Sequence, residues 1–245
     1  MSEIRNCVVT GASRGIGHAT AKLFMARGWR LVTCSREEIP PECRRNPVWV
    51  EHIPTDLFDP AGTAEFVERA VTALGGGGLH ALVNNAGWSP KTETRERLGC
   101  LNGDLDLWHR VFELNLFAPL RLARGFAAAL RRGRGAIVNV TSIAGHQIHP
   151  FAGSAYAVSK AALSALTREM AAEFAQLGVR VNAIAPGEIE TAMVGPDYEM
   201  LVPRIPMGRM GTPEDVANAI YALCDPDGFG YATGTEMFLT GGQHL

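Results

Sequence analysis

Thr10-Gly11-Ala12-Ser13-Arg14-Gly15-Ile16-Gly17 is the stretch on which the fold turns. It directly follows the apolar run Cys7–Thr10, which reads as a strand, and it opens a segment with helical apolar spacing. Glycine lets the backbone turn sharply and approach a ligand closely. A helix N-terminus offers unpaired N–H donors and a positive dipole end. Strand, glycine turn and helix start, in that order, make a cradle for a pyrophosphate. The spacing is GxxxGxG and not the GxGxxG of the usual dinucleotide fingerprint, so the loop taken alone also admits a plain structural turn.

Outward from this loop the chain alternates short apolar runs with helical periods. Strands are expected at Cys7–Thr10, Leu31–Cys34, Val48–Ile53, Ala81–Val83, Ile137–Val140, Val179–Ile184 and Met237–Leu239. They carry little polar alternation, as strands do when helices cover both faces of a parallel sheet. Asp59-Pro60 and Thr212-Pro213 each supply an N-cap and a first-turn proline. Leu163, Leu166, Met170, Phe174 and Leu177 recur at steps of three and four, with Gly178 placed as a C-cap. This rhythm predicts an α/β, doubly wound Rossmann fold with a seven-stranded parallel sheet, in one dinucleotide-binding and catalytic domain over 1–245.

Bulk properties exclude several classes. Of 245 residues, 47% are hydrophobic and 20% charged, with a net charge of −2. No broad positive field invites nucleic acid or an anionic membrane, and no apolar run approaches the ~20 residues of a membrane span. The start, Met1-Ser2-Glu3-Ile4-Arg5-Asn6-Cys7, runs straight into a strand without a signal-peptide pattern, so a cytoplasmic address is expected. Five scattered cysteines show no metal spacing, and Cys7 and Cys34 read as small core residues. No metal site is expected.

Two places carry chemistry. The second strand leads into Ser35-Arg36, and Arg36 lies 19 positions beyond Gly17. An acidic residue near here would hold the ribose hydroxyls of NAD, whereas a basic one favours the phosphate of NADP. Arg36 with Arg14 therefore favours NADP(H), while Glu37 and Glu38 keep NAD(H) possible. Farther on, Tyr156-Ala157-Val158-Ser159-Lys160 opens the long helix. Residues four apart share a helix face, so the Lys160 ammonium stands beside the Tyr156 phenol and is expected to lower its pKa.

Taken in order, TGxxxGxG (Thr10 to Gly17), Asn84-Asn85-Ala86-Gly87, Asn115, Ser142, YxxxK and Pro186-Gly187 resemble the short, single-domain branch of the short-chain dehydrogenase/reductase family. The likeness spans essentially the whole chain and is nearest to beta-ketoacyl reductases and small-alcohol dehydrogenases. It implies a hydride transfer between nicotinamide and a small-molecule carbonyl or secondary alcohol. Tyr156 would be the acid in reduction and the base in oxidation, and Ser142 would hydrogen-bond the substrate oxygen. Lys160 would bind the nicotinamide ribose and tune Tyr156, and Asn115 would hold a water in a proton relay. On the cofactor side the resemblance implies Gly11, Ser13, Arg14, Gly15, Ile16 and Gly17 at the phosphates. Asp56 and Leu57 would meet adenine, Asn85, Ala86 and Gly87 the adenosine side, and Ile189 and Thr191, past Pro186 and Gly187, the carboxamide. A homotetramer or homodimer is implied as well.

Three departures from the family pattern bear on the substrate side. Ser142 and Tyr156 are 14 apart where 13 is common, which places an extra residue near Phe151–Ser154 and raises Ser154 as a group crowding the pocket. The loop Trp88–Asp106, with Lys91, Arg95, Glu96 and Arg97, is long and reads either as a substrate-side wall or as a solvated insertion. The segment 188–210 takes the place of the family's substrate lid, with Met193, Tyr198, Met200 and Leu201 as an apolar inner face or as core. His146 and His149 flank the pocket loop, and the family's chemistry calls on neither. A non-catalytic dinucleotide-binding sensor would show a damaged set, whereas Asn115, Ser142, Tyr156 and Lys160 all stand.

Overall fold

The computed structural model describes residues 4–44, 46–92, 96–191 and 196–245. Seven strands form one sheet: β1 (Asn6–Thr10), β2 (Arg30–Ser35), β3 (Trp49–Pro54), β4 (Ala81–Asn84), β5 (Ala136–Val140), β6 (Arg180–Pro186) and β7 (Glu236–Leu239). Their spatial order is β3-β2-β1-β4-β5-β6-β7, and every neighbouring pair is parallel. The expected Rossmann architecture is therefore present. Strand edges differ from the sequence reading by one or two residues. The shift matters at β2, which runs to Ser35 because Ser35 pairs with Pro54, and this moves the turn to Arg36 and Glu37. β6 continues to Pro186, paired with Leu239, and so carries Pro186-Gly187 to the rim of the sheet.

The connections are α1 (Gly15–Ala26), α2 (Pro41–Arg44), α3 (Pro60–Ala73), α4 (Leu105–Phe112), α5 (Ala118–Gly133), α6 (Ser154–Ala175), α7 (Pro213–Cys224) and α8 (Pro226–Phe229). Asp59 caps α3 by accepting from the amides of Ala61 and Gly62, and Thr212 with Asp215 forms a capping box on α7. Gly178 takes the left-handed conformation (φ 72°) while the Val179 amide reaches back to the Phe174 carbonyl. Only a residue tolerant of positive φ closes the end of α6 in this way.

Period-two alternation divides the strands between two cores. Val8, Val32, Cys34 and Leu82 face α3, α5 and α6, where Phe66 and Phe126 meet edge to face at 6.2 Å. Cys7, Val9, Leu31 and Val83 face α1 and α7. Cys7 and Cys34 are fully buried, and burial pushes both thiols up, as inert core residues require. Between α4 and α5 the helix passes through one π-helical turn, Glu113–Phe117, in which the Ala118 amide bonds the Glu113 carbonyl. Among the described residues, no helix is long and apolar enough to cross a membrane, and no group of three or more His, Cys, Asp or Glu side chains could hold a metal ion.

Candidate active site

Strand order reverses between β1 and β4, and in open α/β sheets the crevice outside the carboxyl ends at such a point is where ligands bind. The glycine loop fills one side of it. Gly11 (φ 67°) and Gly15 (φ 57°) occupy the left-handed region that side chains avoid. Gly17 is small for a different reason: a Cβ there would lie 2.2 Å from the Gly11 carbonyl oxygen and 2.4 Å from Asn85 Nδ2. The loop is braced from β4. Thr10 Oγ1 accepts from the amides of Asn85 and Ala86, both at 3.0 Å, and Asn85 Nδ2 donates to the carbonyls of Thr10 and Gly11. Gly17→Ala is expected to lose about 2–3 kcal/mol of stability through overpacking against backbone. Urea denaturation checks this, and an unchanged midpoint would show that the brace yields.

The residues read from sequence come together here. All of those singled out as site residues line one continuous cleft of about 290 Å³, except Gly17 and Asn115. Gly17 lies beneath the loop. Asn115 sits in the π-helical turn, fully buried, with its amide engaged. Its Oδ1 accepts from the Trp88 amide at 2.8 Å, and its Nδ2 donates to the Trp88 carbonyl and to Ser159 Oγ, both at 3.0 Å. Gly87 is squeezed between this amide and the lysine: a Cβ there would meet Lys160 Nζ at 3.3 Å and Asn115 Oδ1 at 3.5 Å.

At the centre stand Ser142, at the tip of β5, and Tyr156 and Lys160, on the first turns of α6. The Ser142 hydroxyl, which accepts from the Ala144 amide at 3.2 Å, lies near enough to the Tyr156 phenol to favour its anion. Lys160 is buried, donates from Nζ to the Val140 carbonyl at 2.7 Å, and lies 5.8 Å from the centre of the Tyr156 ring. Burial pushes its pKa down to about 8. The expected lowering of the tyrosine pKa is overturned. Burial raises it first, the Ser142 hydroxyl lowers it, and the charge of Glu188 raises it again. A half-buried phenol loses hydration of its anion, and the nearby ammonium is itself desolvated, so the pair does not compensate for burial.

The substrate side corrects other expectations. Ser154 does not crowd the cleft; its amide bonds the Leu98 carbonyl, and its hydroxyl accepts from Arg97. Trp88 and Ser89 of the long loop do line the cleft, while Arg97 pins the remainder to the Ala152 carbonyl at 2.7 Å. Arg95 and Met193 fall outside the described residues. In segment 188–210, Leu201 is buried and Met200 is 66% exposed, so the two do not share an inner face. His149, which the sequence reading set aside, lines the cleft and pairs with Glu188 at 2.7 Å. Glu188 was missed altogether. The available signal was its place immediately after Pro186-Gly187, at the carboxyl edge of β6.

At the end of the cleft beside the turn after β2 the two arginines are engaged. Arg14 Nη1 donates to both carboxylate oxygens of Glu37, at 2.8 and 3.0 Å, and the Arg36 guanidinium lies 5.9 Å from the Phe58 ring centre. Both members of the Arg14–Glu37 pair are well exposed, at 63% and 59%.

The fold is thus of the doubly wound dinucleotide type, with a serine, a tyrosine and a lysine gathered at its switch point. A family model described as enoyl-(acyl carrier protein) reductase matches residues 11–244, and the chain belongs to the short-chain dehydrogenase/reductase family. It is 53% identical to Protein FixR of Bradyrhizobium diazoefficiens, over 97% of this chain and 86% of that one. It is 34% identical to the L-fucose dehydrogenase of Oryctolagus cuniculus, over 97% of this chain and 84% of that one. Among solved structures, a short-chain dehydrogenase/reductase family oxidoreductase from Brucella ovis, in complex with a partially ordered NAD, superposes with a TM-score of 0.81 at 45% identity, covering 97% of this chain and all of that one.

Proposed function

We propose that the chain is an oxidoreductase that moves a hydride between a nicotinamide dinucleotide and a small-molecule carbonyl or secondary alcohol. The observation that supports it is the gathering of Ser142, Tyr156 and buried Lys160 in the same cleft that the glycine loop opens. The residues suit such a ligand: Gly11 and Gly15 turn the loop through positive φ into the N-terminus of α1, where a helix offers unpaired N–H donors, and Gly15 stands so close to Thr191 that a Cβ would meet its methyl at 3.3 Å. When bound, the nicotinamide supplies or accepts the hydride. The protein manages the proton. Ser142 donates a hydrogen bond to the substrate oxygen, and Tyr156 gives its proton to that oxygen in reduction and takes it back in oxidation. Lys160 holds the nicotinamide ribose and steadies the phenolate. Asn115, by fixing Trp88 and Ser159, keeps Gly87 against Lys160 and supports the proton path. Asp56 and Leu57 meet adenine, Asn85, Ala86 and Gly87 the adenosine side, and Ile189 and Thr191 the carboxamide. Segment 188–210 serves as the lid of a single catalytic domain.

NADP(H) is the preferred cofactor in this reading, because Arg14 and Arg36 both line the adenosine end. A ribose phosphate carries more charge than Glu37 and displaces it from an exposed pair of low intrinsic strength. A second reading, NAD(H), is favoured by the Arg14–Glu37 pair itself, which leaves a carboxylate where ribose hydroxyls would sit, and by the NAD in the Brucella ovis relative. Glu37→Gln decides between them. It is expected to tighten NADPH about threefold to tenfold, by freeing Arg14, and to leave NADH equal or weaker; fluorescence titration of both reads the ratio. NADH binding tighter than NADPH in the parent chain would establish the NAD reading.

The direct test is a panel of ketones, aldehydes and alcohols with both nicotinamides, followed by nicotinamide absorbance. Turnover with at least one member is expected, and none across the panel would overturn the proposal. Phe117 and Val158, exposed on the π-helical turn and α6, support assembly into a dimer or tetramer, which light scattering checks.

A further inference from the structure

The cleft contains a buried carboxylate that the proton-transfer chemistry does not use. Glu188 is 4% exposed and His149 6%. The ring orientation of His149 is fixed by two backbone donors: its Nδ1 accepts from the amides of Phe151 and Ala152, both at 3.1 Å. The proton is therefore on Nε2, which donates to Glu188 Oε1 at 2.7 Å. Gln243 Nε2 donates to the same oxygen at 3.2 Å. Neither bond uses Oε2. Glu188 lines the cleft, so this second oxygen stands as an acceptor on the cleft wall. The carboxylate works against the chemistry beside it, since its charge raises the Tyr156 pKa. His149 and Gln243 fix one oxygen of the carboxylate, and the proton transfer gains nothing from its charge, so the group is accounted for by what enters the cleft.

We propose that Glu188, held by His149 and Gln243, is a specificity residue whose free oxygen accepts a hydrogen bond from the substrate, which therefore carries a hydroxyl or ammonium group near its reacting carbon. The inference rests on the oxidoreductase reading and narrows it. It disfavours 3-oxoacyl thioesters and keto acids, which present only acceptors or negative charge around the carbonyl. Polyols, sugars and amino alcohols meet the requirement. The L-fucose dehydrogenase relative, whose name gives a sugar substrate, is in keeping with it.

The test is oxidation, with NADP⁺ and with NAD⁺, of cyclohexanol, cis- and trans-cyclohexane-1,2-diol, trans-2-aminocyclohexanol and the N-acetylcysteamine thioester of 3-hydroxybutyrate. At least one diol or amino alcohol is expected to exceed cyclohexanol tenfold or more in kcat/KM, with the thioester lowest. A preference for the diol assigns the donor as hydroxyl, and a preference for the amino alcohol assigns it as ammonium. Glu188→Gln keeps an acceptor for His149 and turns a donor toward the cleft. It is expected to reduce the ratio of donor-bearing alcohol to cyclohexanol about 30-fold, the range of a hydrogen bond to a charged group. A thioester or cyclohexanol oxidised as well as the diols and the amino alcohol overturns the Glu188 assignment alone, and this comparison stands even if the variant does not fold. A ratio unchanged in a folded Glu188→Gln protein overturns it too. No oxidation of any alcohol, together with no reduction of the matching ketones, overturns the oxidoreductase reading itself.

Discussion

Tyr156→Phe is expected to lower kcat by about 10³-fold, within the range that a positioned general acid–base contributes, while leaving the fold and nicotinamide binding in place. The substitution removes one oxygen from a half-buried ring and leaves Ser142 with its bond from the Ala144 amide. Ser142 and Lys160 remain, so residual turnover reports binding and polarisation without proton transfer. Steady-state rates with a reactive ketone, alongside a cofactor titration, make the separation. Full activity in the phenylalanine variant would remove the proposed mechanism. Because burial and Glu188 hold the Tyr156 pKa above its ordinary 10, the parent enzyme should reduce ketones best at neutral pH and oxidise alcohols better as pH rises toward the phenol.

Lys160→Met is expected to trade activity for stability. Folding takes the lysine from 10.5 to about 8 by burying its ammonium. Between those values the unfolded chain binds more protons than the folded one, so stability rises with pH across that window. Below pH 8 the full penalty is in force, roughly 3 kcal/mol from the size of the shift. Methionine has nearly the same length and no charge to desolvate, although it leaves the Val140 carbonyl without the Nζ donor. A net gain of about 1–2 kcal/mol near pH 7 follows after that lost bond is set against the penalty. Turnover falls about 10²-fold or more, since the phenolate loses its neighbouring cation. Chemical denaturation at pH 7 and at pH 10 reads the first effect: the variant's advantage should shrink at the higher pH. A variant less stable than the parent at both values would mean that the ammonium is well solvated where it sits.

How far the sequence reveals this site depends on whether the information is local. The glycine loop, the caps at Asp59 and Thr212 and the stripe on α6 are set by neighbours a few residues away, and they were legible. So was the meeting of Tyr156 and Lys160, which one turn of helix guarantees. Glu188 was not legible, because its meaning depends on His149, 39 positions earlier, and on Gln243, 55 positions later. The Arg14–Glu37 pair likewise joins two turns that periodicity treats separately. The tyrosine pKa was misjudged for a related reason: spacing shows which charge is near but not how much water burial removes from both partners. Ser154 was misplaced because the long loop that captures it carries no periodic signal.

The π-helical turn at Glu113–Phe117 has a mechanical meaning for the molecule's history and redesign. One surplus residue there acts as a phase slip: everything on α4 is rotated by about 100° relative to the course an uninterrupted helix would follow. Val111 points inward and Trp108 stacks on Phe112 under that offset. Trimming a single residue from the slip would re-time the two halves, swing Asn115 off the Trp88 backbone, and disengage the floor of the cleft from the loop above it without touching any group that handles substrate.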